Sequence, residues 1–141
     1  MIGLILCGHG HFATGLHSAI KLIAGVQEKM IAIDFTEGMT SEELKDLLLS
    51  GIDAVDSGAG IVIFTDIPGG TPFRQSASIS SKEKQISVLA GTSLPMLLGS
   101  CFNRSLALEE FVEKALKNGH EGLKIFETKP EIEVDEELDG I

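Results

Sequence analysis

The chain predicts an α/β fold: an open, doubly wound, mainly parallel sheet of order 2-1-3-4, with helices on both faces. Four short apolar runs alternate with segments whose apolar residues recur at helical spacing. Such alternation implies parallel strands joined by right-handed helical crossovers. The first and third runs are apolar throughout, as strands covered on both faces are. In this order strands one and three lie side by side and their crossovers leave to opposite faces. A crevice then opens at their C-terminal ends, where ligand chemistry is expected.

Residues 2–7 form the first strand, a continuous apolar run broken by Gly3. Phe12–Ala24 is the first helix, with Phe12, Leu16, Ala19, Ile20 and Ile23 on one face and Gly25 as a left-handed stop. Met30–Phe35 is the second strand, with Asp34 near its end as a loop-capping residue. Thr40, Ser41, Glu42 and Glu43 make a capping box ahead of Leu44, Leu47, Leu48, Ile52 and Val55. That helix ends around residues 56–58. Ile61–Thr65 is the third strand. Thr71 as N-cap, with Pro72 at the first helical position, starts a helix that runs to about Ser80. Residues 85–90 are the fourth strand, closed by Gly91. Pro95 opens a helix to about Phe102, and residues 106–117 form the last one, capped by Asn118 and Gly119. Residues 123–126 read as a short final strand. The expected organisation is one domain over 1–126 and a polar, acidic, loosely attached tail over 127–141.

Composition narrows the function classes. The chain has 141 residues, 43% of them hydrophobic, which suits a single well-filled core. The formal charge is −10, with seven acids against one lysine in the tail, so a nucleic-acid backbone is an unsuitable partner. Seven Phe with no Trp or Tyr offer little stacking surface for single strands. Cys7 lies in a strand and Cys101 in a helix, which points to reduced thiols and not to a disulfide framework. No basic n-region with a cleavage site opens the chain, and no apolar run approaches the length of a membrane span. A cytoplasmic protein without direct membrane insertion is expected.

The crevice residues carry the chemistry. His9 lies between Gly8 and Gly10 after the first strand, with room for a partner to approach. Imidazole is nucleophilic near neutral pH and can carry a group covalently. Asp66 follows the third strand. It can accept a hydrogen bond from one ring nitrogen, fix the tautomer and leave the other nitrogen facing outward. Gly69, Gly70 and Thr71 open a helix whose free N–H groups and dipole favour an anion. A nucleophilic ring, an orienting carboxylate and a small anion site suit a phosphoryl group carried on histidine. The P-loop pattern GxxxxGK[ST] does not occur. Gly8-x-Gly10 is no dinucleotide fingerprint either, because position 13 is Ala and His9 fills the pyrophosphate's space.

Three segments in register carry a more specific resemblance: Gly8-His9-Gly10, then Asp66-x-x-Gly69-Gly70-Thr71-Pro72-Phe73, then Ala90-Gly91-x-x-x-Pro95-Met96-Leu97. The chain resembles a IIA domain of the mannose family of the bacterial phosphoenolpyruvate-dependent sugar phosphotransferase system. The resemblance implies that the phosphocarrier protein HPr phosphorylates His9, and that His9 passes the group to a IIB component serving membrane-embedded IIC and IID proteins. It implies Asp66 as the orienting carboxylate and Thr71 as the hydroxyl at the anion site. It also implies a homodimer whose last strand crosses to the other subunit, which would explain residues 123–126. No cofactor is implied. Two departures stand out. Arg74 occupies a position where many relatives carry Asn, and no IIB domain or basic linker follows, as in a free-standing IIA subunit.

Other readings compete. The same fold and histidine occur in the phosphotransfer subunit that feeds dihydroxyacetone kinase, and a regulatory binding module of this fold would have lost transfer. Intact His9, Asp66 and Thr71 argue against the module. A metal held by His9 and His11 lacks a convergent third ligand. His11 is read as a rim residue, His17 as a residue of the first helix, and His120 as part of a late turn.

Overall fold

The computed structural model describes residues 1–83 and 85–128. In chain order the elements are β1 (Gly3–His9), α1 (Phe12–Ala24), β2 (Met30–Phe35), α2 (Ser41–Val55), β3 (Ile61–Thr65), α3 (Thr71–Ser80), β4 (Ile86–Leu89), α4 (Leu94–Cys101) and α5 (Leu108–Glu121). All strand pairs are parallel and the sheet order is β2-β1-β3-β4, the expected doubly wound arrangement.

Alternation along β1 builds two cores. Leu4 and Leu6 pack with Ala13 and Ile20 of α1, Met96 and Leu97 of α4, and Phe111 and Ala115 of α5. Ile5 and Cys7 face the other way, among Leu44, Leu48 and Val55 of α2 and Ile79 of α3. Burying each such aliphatic side chain contributes on the order of 1.5–3 kcal/mol, which is what clamps helices to both faces. Close approaches need glycine. A Cβ at Gly3 would lie 2.5 Å from the Val55 carbonyl oxygen, and one at Gly8 would collide with the Phe12 ring.

The register prepares the crevice. β1 stays paired with β2 up to His9↔Phe35, whereas its last partner on β3 is Cys7↔Thr65. His9 therefore overshoots β3 by two residues, and the chain leaving β3 must pass beside it. By parity His9 belongs to the side of β1 that carries Ile5 and Cys7, the side covered by α2 and α3.

Three sequence expectations need correction. The N-cap of α3 is Gly70, not Thr71: Gly70 is extended, and its carbonyl accepts the Arg74 N–H at 2.9 Å, the first bond of the helix. Thr71 and Pro72 are the first two helical residues. Second, Asn118 and Gly119 do not cap the last helix. α5 runs on to Glu121 and ends at Gly122. Gly119 is a contact glycine, since a Cβ there would stand 3.1 Å from Met96 Cε of α4. His120 accordingly lies in the last turn of α5 and not beyond it. Third, residues 123–126 form no strand in the single chain, where Leu123, Ile125 and Phe126 are 80%, 83% and 84% exposed. Residues 129–141, most of the expected tail, lie outside the described residues.

Arg104, which the sequence did not single out, is buried after α4 and staples the N-terminal ends of β1 and β2. Its Nε and Nη2 donate to the Ile2 carbonyl at 2.9 and 2.8 Å, Nη2 also to the Lys29 carbonyl at 3.0 Å, and Nη1 to the Glu28 carbonyl. Arg104→Ala takes the donors from the buried Ile2 carbonyl and from the half-buried Glu28 and Lys29 carbonyls, and is expected to cost about 3 kcal/mol in urea unfolding. An unchanged midpoint would show that the staple is dispensable.

Candidate functional site

His9 is held by one carboxylate oxygen. Asp66 Oδ2 accepts the His9 backbone N–H at 2.8 Å and lies 2.7 Å from His9 Nδ1. Burial pushes the Asp66 carboxyl up, but the His9 backbone N–H, the His9 ring and the Ile67 N–H outweigh it, and the net shift is downward. The carboxylate is therefore ionised at neutral pH and can only accept. Nδ1 must carry the proton, and the lone pair resides on Nε2. The Asp66 side chain is 13% exposed and that of His9 45%, so the orienting group is sheltered while the ring reaches solvent.

The ring is framed on two further sides. Phe35, its partner on β2, meets it edge-on with centroids 5.7 Å apart and planes at 76°. Gly70 approaches so closely that a Cβ there would stand 2.9 Å from His9 Cε1. Gly69 has φ +83°, a left-handed conformation suited to glycine, and it turns the chain into α3. α3 has no side-chain cap and no acid in its first turn, and the N–H groups of Thr71 and Phe73 find no acceptor among the described residues. An uncapped helix start beside a nucleophilic nitrogen is suited to an anion on that nitrogen. The loop after β4 steadies the loop after β3. Gly91 N–H donates to the Asp66 carbonyl at 2.5 Å, and Thr92 N–H to the Thr65 carbonyl at 3.2 Å.

His9, Asp66 and Gly70 are thus brought together, with Gly69 and Thr71 on either side of Gly70 in the chain. His11 is not part of that group. It is 87% exposed, and its Nδ1 faces Asp34 Oδ2 at 3.3 Å. The two histidines hold separate carboxylates, and among the described residues no cluster of three His, Cys, Asp or Glu could hold a metal ion. Burial, then the charges of Asp66 and Asp34, push the Cys7 thiol up to about 12, so it is no thiolate at neutral pH. Arg74 is exposed in the first turn of α3. A cavity of about 490 Å³ lies elsewhere, lined by Lys45, Ile52, Asp53, Ile61, Ile79 and Ile86 at the N-terminal end of β3 and β4. The sequence reading missed Phe35 as a wall of the site. Its signal was its place as the last residue of the neighbouring strand.

Fold and crevice define a class: a doubly wound α/β protein presenting an oriented imidazole at its topological switch point. Within it the chain belongs to the EIIA-man family, since the family model for the PTS system fructose IIA component matches residues 3–116. The PTS system sorbose-specific EIIA component of Lacticaseibacillus casei is 34% identical over 115 residues, covering 81% of this chain and 83% of that protein. The PTS system mannose-specific EIIAB component of Escherichia coli K12 is 29% identical over 131 residues. That match covers 92% of this chain but only 41% of the longer relative. The crystal structure of phosphotransferase system component EIIA from Streptococcus agalactiae superposes with a TM-score of 0.82 at 33% identity, covering 89% of this chain and 97% of that one. The chain is thus a IIA component of the mannose, fructose and sorbose type. Among the described residues no helix is long and apolar enough to cross a membrane.

The lowered carboxyl of Asp66 gives a pH test. A group with a depressed folded-state pKa stabilises the fold above its ordinary value, near 3.8 here, and loses that contribution as pH falls through the folded value. Melting temperature is expected to drop below about pH 4 and to drop less steeply in Asp66→Asn. Superimposable profiles would show that the His9–Asp66 contact adds nothing to folding.

Proposed function

We propose that this chain is a phosphocarrier: His9 accepts a phosphoryl group from phospho-HPr and passes it to a IIB component, for sugar uptake and phosphorylation through membrane IIC and IID proteins. The observation that carries the reading is the 2.7 Å contact between His9 Nδ1 and Asp66 in a chain of this family. It leaves Nε2 as the outward nucleophile.

The chemistry follows from that placement. The Nε2 lone pair attacks phosphorus in line, and the N–P bond to the donor histidine breaks with its electron pair returning to the donor ring. The His9 ring gains positive charge as the bond forms, and the ionised Asp66 stabilises it through Nδ1–H. The phosphoryl oxygens are directed to the N–H groups at Gly69 and Thr71, to the Thr71 hydroxyl, and to the Gly70 N–H, whose long 3.5 Å bond to the Ile67 carbonyl is given up for the anion. Transfer to IIB is the same step reversed on a new acceptor. The protein acts as a phosphotransferase component through a phosphohistidine intermediate, without a cofactor. The His9 side chain is 45% exposed, which lets the face of a macromolecular donor reach its ring. We assign the carrier domain to residues 1–126, with 127–141 as an appended tail, in the cytoplasm.

The exposed Leu123, Ile125 and Phe126 also support a homodimer in which this segment pairs with the partner, β4 being an edge strand. Sedimentation as a monomer would end that part of the proposal.

Incubation with phosphoenolpyruvate, enzyme I and HPr is expected to add one acid-labile phosphate, read by intact mass. His9→Ala should abolish it, His11→Ala should retain it, and Asp66→Asn should slow it by about 10- to 100-fold with the fold intact. Labelling that survives in His9→Ala would sink the assignment.

A further inference from the structure

α1 begins without a cap of its own. His11, at the N-cap, makes no capping hydrogen bond, and the first turn holds no acid. The cap comes from across the sheet. Asp34, near the end of β2, accepts the Thr14 N–H on Oδ1 at 3.1 Å and the Thr14 hydroxyl on Oδ2 at 2.6 Å. Thr14 is the third helical residue, and its N–H is the one that an ordinary N-cap side chain would take. Burial raises the Asp34 carboxyl, but the Thr14 and His11 bonds outweigh it, so it is ionised at neutral pH.

The neighbouring residue braces the other end of the same turn. The Phe35 carbonyl accepts the Gly10 N–H at 2.9 Å, and the Phe35 ring meets His9. Gly10 itself has φ +60° and no side chain with which to stiffen the turn. β2 thus grips the turn from His9 to Phe12 on both sides, while Asp66 holds the His9 N–H where the turn begins.

We propose that Asp34 is a positioning residue for phosphoryl transfer: as a hydrogen-bond acceptor it caps α1 from β2 and so fixes the turn that carries His9. The proposal rests on the reading of His9 as the phosphoryl carrier. Asp66 holds the His9 N–H and decides which ring nitrogen faces outward, and Asp34 holds the far end of the turn that follows His9. Asp34 also places a carboxylate at the start of α1, whereas α3 has no side-chain cap and no acid in its first turn, so α3 is the better start for an anion on His9.

Misplacing a reacting atom by about 1 Å can cost on the order of 100-fold. Asp34→Ala is therefore expected to lower the phosphorylation rate at saturating phospho-HPr by about 10-fold or more, with the half-saturating donor concentration little changed. The ¹⁵N resonances of the unphosphorylated His9 ring should move toward a tautomer mixture. Asp34→Asn, which caps as well, should stay within about threefold of the wild-type rate and keep wild-type resonances. Thr14→Val removes the hydroxyl bond and keeps the N–H; it should shift both readouts in the same direction by less, and serves if Asp34→Ala does not fold. Wild-type rate and His9 resonances in Asp34→Ala would overturn the proposal, as would an Asn variant as slow as the Ala variant, which would assign the effect to charge. The ring resonances need no phosphate. A wild-type chain that never labels would defeat the carrier reading while leaving Asp34 testable.

Discussion

One oxygen atom organises the site. Asp66 Oδ2 accepts both the backbone N–H and the ring nitrogen of His9, so a single carboxylate fixes the end of β1 and the orientation of the side chain there. Two bonds to one residue restrict the ring far more than a side-chain contact alone, because the backbone bond sets the origin from which the ring extends. The arrangement depends on the register. Only because β1 runs past its last partner on β3 does the segment leaving β3 meet the His9 backbone at all. The surroundings are consistent with it. Gly70 yields space at Cε1, Phe35 closes the opposite flank, and the neighbouring Cys7 thiol is held protonated by burial and nearby carboxylates.

Much of this was legible in the residues. Apolar runs alternating with helical spacing predicted the order β2-β1-β3-β4, and that order brought His9 and Asp66 together across 57 positions. Parity places His9 on one face of β1, and the end of the strand separates it from His11, which the turn at Gly10 carries toward Asp34. Leu4 and Leu6 face α1, α4 and α5, whereas Ile5, Cys7 and His9 belong to the α3 side, where Gly70 arrives. The glycine at position 8 is required on the opposite side, against Phe12. A pattern of period two thus encodes the face that His9 takes, and the strand end at His9 keeps His11 off it.

What was not legible depended on contacts between elements distant in sequence. Asp34 reads locally as a loop cap, yet the helix it caps lies earlier in the chain and is reached only through β1–β2 pairing. Thr71-Pro72 has the composition of an N-cap and first turn, but Gly70, pressed against the His9 ring, takes the cap position and shifts Thr71 into the helix. Gly119 looks like a stop and is a contact surface for Met96, because packing of α5 on α4 outweighs the local propensity. Arg104 serves three backbone carbonyls from two other segments, which no local pattern announces. Residues 123–126 have a strand's composition, but pairing needs an edge that the single chain does not bring to them.

The central claim is that Asp66 holds Nδ1 and leaves Nε2 to react. The most direct measurement is the site of the phosphate on the ring, read by ³¹P–¹⁵N coupling in ¹⁵N-histidine protein phosphorylated through HPr. The account predicts coupling to Nε2 of His9, with Nδ1 still protonated. Coupling to Nδ1, or to any other histidine, would contradict it.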